Sequence, residues 1–180
     1  MLFFEKFKKN LKDLEKIEIM TDVMASSPSA DAAAEQKAAK LESARRFCDL
    51  MEEEEDISLA QSVAACRELA QWLESTTDEE IILTSLDCFS LLLERMNDQF
   101  RPLLTLTVGP LLTTLGQQGS KVRLAAITLL TNLVEIHTAR EIFELSINGF
   151  YHEEFRIREG CCLFVLSVIK RLGFWFFKFY

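Results

Sequence analysis

Two stretches decide the fold, KVRLAAITLLTNLVEI at 121–136 and FRIREGCCLFVLSVI at 155–169, because the second repeats the first in residue type and position. Val122-Arg123 is followed by Ala125-Ala126 and Leu129-Leu130, while Ile157-Arg158 is followed by Gly160-Cys161 and Phe164-Val165. The two dipeptides lie 35 residues apart, and Ile81-Ile82 opens an earlier helical pattern about 40 residues before Val122. That period suits a unit of two antiparallel helices, which buries its apolar face only against its neighbours in a stack. A β-branched residue then plugs the core at the helix start, small residues allow close helix approach, and the arginine stays outside on the turn.

Working outward, apolar residues recur at three- and four-residue steps on both sides of this core pattern. Helices are predicted over 36–51, 57–74, 78–95, 100–115, 121–136, 139–147 and 155–172. Breaks fall at Asn97-Asp98, at the GQQGS of 116–120 and at Asn148-Gly149. Thr77 is placed to cap the helix after the break at 75–78, with Glu80 three positions on as in a capping box. The acidic run 52–56 reads as a solvated linker. The fold class expected is all-α, a HEAT/armadillo-like α-solenoid.

Composition agrees. The chain has 180 residues, 49% hydrophobic and 27% charged, with only 6 glycines and 3 prolines, too little punctuation for a β-sandwich. A net charge of −8 argues against a general nucleic-acid binder, since affinity for phosphate backbones rests on clustered Lys and Arg. The five cysteines, at 48, 66, 88, 161 and 162, lack metal-ligand spacing and sit in apolar patterns, so they read as small core residues in a reducing compartment. No catalytic motif surrounds His137 or His152, and both read as surface residues, His137 at a helix end where a cation suits the dipole. The expectation is a protein that is not an enzyme and needs no cofactor or metal.

The ends differ from the centre. Phe4, Phe7, Leu11, Leu14 and Ile17 give 1–20 an amphipathic period, and ASSPSADAAA at 25–34 has the composition of a flexible linker. The domain plan is thus an N-terminal extension at 1–35, helical repeats at 36–173 and an apolar tail, FWFFKFY, at 174–180. No run reaches the length of a transmembrane span. With nothing to follow it, the last helix would expose Phe164, Val165, Ile169 and Phe174, which predicts aggregation or self-association.

ELAQWLESTTDEEIILTSLDCFSLLLERMNDQFRPLL, VGPLLTTLGQQGSKVRLAAITLLTNLV and AREIFELSINGFYHEEFRIREGCCLFVLSVI, within 68–169, resemble the N-terminal TOG domain of the CLASP (CLIP-associating protein) family in order, spacing and loop residues. The most specific piece is GFYHEEFRIREGCC at 149–162, with its F-R-x-R-E-G core. The resemblance implies a partial TOG domain, a paddle of HEAT repeats whose intra-repeat loops form the edge that TOG domains present to tubulin. It also implies two further repeats after Gly173, so the chain is expected to be a truncated form or fragment. Lys121, Arg123, Arg156 and Arg158 become the candidate tubulin contacts, and a cytoplasmic, microtubule-associated protein becomes the expectation. Tubulin is acidic, and aligned basic loops would steer its encounter. No Trp precedes Trp72, which matches the first CLASP TOG pattern and implies weak tubulin affinity. The alternative is a HEAT/armadillo interaction scaffold that binds another protein along a helical face and does not bind tubulin.

Overall fold

The structure, a computed structural model, describes residues 30–53 and 58–173. The helices are α1 (Ala30–Glu53), α2 (Leu59–Ser75), α3 (Glu79–Met96), α4 (Leu104–Thr114), α5 (Ser120–Ile136), α6 (Ala139–Phe150) and α7 (Phe155–Leu172), with a 3-10 segment, Asn97–Leu103, leading into α4. Among the described residues there is no strand. The chain divides into a unit at 1–36, of which 30–36 is described and helical, and a unit at 37–180.

Within the second unit the packing is that of a solenoid. Helices α2, α4 and α6 pack side by side in one layer, α3, α5 and α7 in the other, and each even helix also packs on the helix that follows it. The units are therefore the antiparallel pairs α2/α3, α4/α5 and α6/α7, and the protein is an all-α, HEAT-like solenoid. α1 lies against the first pair, with the Cys88 thiol of α3 donating to the Ala44 carbonyl at 3.6 Å.

One continuous apolar core runs between the layers. Phe89, Phe100 and Phe164 are its largest fully buried side chains, joined by Leu92, Leu111, Leu115 and Leu130. The repeated plug residues sit as the pattern requires, Val122 at 2% and Ile157 at 3% exposure. Buried hydroxyls cost no unpaired polar group, because Ser85, Thr107, Thr131 and Ser146 each donate to the carbonyl four residues back. Glu135 and Asn132 of α5 both meet Arg171 of α7, tying the ends of consecutive units together.

Several expectations need correction. α1 starts at Ala30, inside the stretch read as a linker, and the strong helix propensity of its alanines accounts for this. Asp78 rather than Thr77 caps α3: its Oδ1 accepts from the amides of Glu80 at 3.0 Å and Ile81 at 3.3 Å. The capping box occurs elsewhere, where the Ser58 amide donates to the Gln61 side chain at 2.9 Å before α2. Asn97 does break the chain, with φ 46, and the segment that follows it, which contains Pro102, is 3-10, so α4 begins only at Leu104. Asn148-Gly149 is not a turn, since α6 continues to Phe150.

Burial revises three other readings. Phe164 is fully buried on the Phe143 ring, at a centroid distance of 5.4 Å, so the exposed apolar residues of α7 include Leu163 and Leu166 instead. Cys66, Cys88 and Cys161 are core residues, while Cys48 is half-buried and Cys162 exposed. His137 is half-buried beside Phe100, with its Nε2 buried and unpartnered, and burial holds its pKa below the ordinary value against the pull of Glu141 and Asp98, so it is not a simple surface residue. The amphipathic pattern of 1–20, most of the acidic run and the 174–180 tail lie outside the described residues.

Candidate functional site

Each helix pair turns at the same end of the stack. Gly119, before α5, faces Glu79 of the α2–α3 turn: a Cβ built there would lie 3.6 Å from the Glu79 carboxylate. Gly116, after α4, faces the next turn, where an added Cβ would lie 2.8 Å from Ile157 and 3.2 Å from the Glu154 carboxylate. These close approaches place the turns at 76–78, 115–119 and 151–154 along one edge. Lys37 of α1 extends it, pairing with both Asp78 and Glu80 at 2.9 Å. The ammonium beside Asp78 holds that carboxyl below its usual range.

The four candidate cations all sit at this edge, in different states. Lys121 and Arg156 are exposed, and neither makes an ion pair or side-chain hydrogen bond with any described residue. Arg123 is half-buried and reaches from α5 to Glu159 of α7 at 3.1 Å. Arg158 turns back on its own loop, donating to the carbonyls of His152 and Glu153 at 2.7 Å each, with its guanidinium 5.8 Å from the Phe155 ring centroid. The Glu154 amide donates to His152 Nδ1 at 3.0 Å, which completes the turn into α7.

This geometry separates packing from surface within FRIREG at 155–160. Ile157 is core, Arg158 staples the turn, Glu159 pairs with the preceding unit, and Gly160 lets α7 approach α4, since a Cβ there would meet Leu115 Cβ at 2.6 Å. Phe155 and Arg156 are left facing solvent, Phe155 at 65% exposure. Tyr151, at 82%, stands in the turn just before them. Sequence reading missed Lys37 and these apolar residues. A lysine 41 and 43 positions before its acidic partners gives no local signal, and a Tyr or Phe beside a turn reads as core until the turn is placed.

The edge is also acidic, with Glu79, Glu80, Glu153 and Glu154 exposed along it. Its unpaired cations are therefore islands in a mixed-charge surface. Among the described residues no three His, Cys, Asp or Glu side chains gather as a metal site, and no helix is long and apolar enough to cross a membrane.

Fold and edge together define a HEAT-type α-solenoid with its intra-pair turns aligned. No protein-family model matches the chain. Its sequence is similar to CLIP-associating proteins: it is 30% identical to CLIP-associating protein 1-A of Xenopus laevis over 103 residues, which is 57% of this chain and 7% of that protein. CLIP-associating protein 1 of Xenopus tropicalis is 29% identical over 103 residues, again 57% of this chain and 7% of the relative. The resemblance read from the FRIREG core and its flanking helices stands, over a small part of those relatives' length.

Proposed function

We propose that residues 36–173 are a partial TOG domain that binds tubulin through the aligned edge, as a microtubule-associated module acting on microtubule stability or dynamics. The carrying observation is that Lys121 and Arg156, from consecutive turns of a rigid stack, stand exposed and unpaired among the described residues at the edge where the exposed Phe155 and Tyr151 also lie. Similarity to CLIP-associating proteins supports the reading. Arg123 and Arg158 act mainly by holding the edge in shape. Arg123 spends its charge on Glu159 and Arg158 satisfies two carbonyls of its own turn.

Co-sedimentation with microtubules and size-exclusion chromatography with tubulin test this. Lys121→Glu/Arg156→Glu is expected to weaken binding by roughly tenfold or more and to reduce its salt dependence, with the melting curve unchanged. Binding by the wild type that is indifferent to this double change would remove the edge from the account. A wild-type chain that binds no tubulin at all would leave the scaffold reading, a HEAT-type surface for another protein.

A further inference from the structure

We propose that Cys48 and Cys88 are a reversible redox pair, two thiols poised to close into a disulfide that clamps α1 onto the first helix pair. Their sulfurs are 3.0 Å apart, although 40 residues separate them in the chain. A disulfide needs about 2.05 Å between sulfurs, so closure asks for a movement of roughly 1 Å. The other three thiols have no sulfur neighbour of this kind among the described residues. Cys66 is buried beside Thr107 with its pKa pushed up to about 12, and Cys161 faces the close contact at Gly149 while its neighbour Cys162 faces solvent.

The two members are unequal in the way a peroxide-sensing pair requires. Cys48 is half-buried and reachable, whereas Cys88 has 0% exposure and burial raises its thiol pKa far above the ordinary value. Cys48 thiolate therefore attacks hydrogen peroxide first. The O–O bond breaks, Cys48 becomes a sulfenic acid and hydroxide leaves, taking up a proton as water. The Cys88 sulfur then attacks the Cys48 sulfur, the S–O bond breaks, and the Cys88 proton departs with the hydroxyl as a second water. Two electrons pass from the two sulfurs to the peroxide, and a dithiol reductant returns them.

The consequence falls on α1. α1 is otherwise tied to the first pair by exposed or part-exposed polar contacts, the Lys37 cluster with Asp78 and Glu80 and a 3.5 Å contact from Ser43 to Glu68, together with Ala44 and Met51 in the core. A covalent link between α1 and α3 would hold Lys37 at the edge. The proposal is independent of whether that edge binds tubulin.

The test is to treat the full chain with hydrogen peroxide, then denature, alkylate and weigh it. The expected result is a loss of 2 Da, three of the five thiols left alkylatable, a linked pair of peptides carrying Cys48 and Cys88 after cleavage at glutamates, and a melting temperature raised by about 5 °C or more until dithiothreitol is added. Cys88→Ala should instead leave a sulfenic acid on Cys48 that dimedone traps, and Cys48→Ser should keep all of its remaining thiols. Five alkylatable thiols after treatment of the wild type, a linkage running through Cys162, or trapping at Cys48 in the wild type as strong as in Cys88→Ala would each overturn the pairing.

Discussion

Helices α5 and α7 open with the same pattern, a β-branched residue followed by an arginine, and use it differently. Val122 and Ile157 are equivalent, both buried plugs at the base of the core. Arg123 and Arg158, one residue on, are not: Arg123 crosses to Glu159 of the next unit, and Arg158 folds back onto the carbonyls of the turn before it. A repeat in sequence therefore guarantees a repeated role only inside the core, where every unit meets the same neighbours. At the edge, the next unit decides whether an arginine finds a carboxylate across the gap or a bare carbonyl at home.

The small residues of the two helices offer the sharpest way to break this equivalence. Ala125 in α5 corresponds to Gly160 in α7, yet Gly160 lies so close to α4 that an added Cβ would be 2.6 Å from Leu115 Cβ, an atom fixed to the backbone that cannot swing aside. Gly160→Ala should destabilise the chain by about 1–3 kcal/mol through overpacking, a cost partly offset by the better helix propensity of alanine. Denaturant melts would read it, and a neutral or stabilising result would mean that α7 can move off α4 freely.

The arginines come next in size. Arg158→Ala removes two charge-assisted hydrogen bonds from a half-exposed turn and should cost about 1–2 kcal/mol, whereas Arg123→Ala removes a part-exposed ion pair and should cost about 0–1 kcal/mol. Raising the salt concentration should shrink the Arg123 effect and leave most of the Arg158 effect. Equal costs with equal salt sensitivity would return the two residues to a single role.

These differences mark what the sequence can and cannot tell. The helix pairs are legible because burial repeats: Val122 and Ile157 both face inward as the periodicity requires, whereas the burial of Phe164 depends on the Phe143 ring packed against it, which no repeat pattern reports. Asn148-Gly149 misled because glycine carries two meanings. In sequence it signals a turn, but Gly149 serves close approach of α6 and α7, where a Cβ would lie 2.6 Å from the Cys161 sulfur. The cap at Asp78 was misplaced by one residue because Thr76, Thr77 and Asp78 all have capping chemistry, and only the backbone decides which one faces the free amides. At the edge, the partners of Lys37 and Arg123 lie 36 or more residues away in the chain, beyond the reach of any local pattern.

The far ends of the same two helices give the smallest and most specific expectation. α7 ends at Gly173, whose φ of 79 suits a residue without a side chain, while α5 ends at His137, whose ring is half-buried near Phe100 with Nε2 shut away from any partner. Burial lowers the His137 pKa, although Glu141 and Asp98 pull the other way. A folded-state pKa below the unfolded value means that the unfolded chain binds the proton more readily. Stability from this group is therefore complete above about pH 6.5 and is lost as pH falls through that value toward the lower folded pKa. Between pH 7.5 and 5.5 the wild type should lose more melting temperature than His137→Leu does. Asp78, whose depressed pKa withdraws stability only below the ordinary carboxylate range, does not titrate in that window, and other groups cancel in the difference between the two proteins. A wild type and variant that melt in parallel from pH 7.5 to 5.5 would show that solvent reaches the ring, and that α5 closes over its last residue no more tightly than α7 does over Gly173.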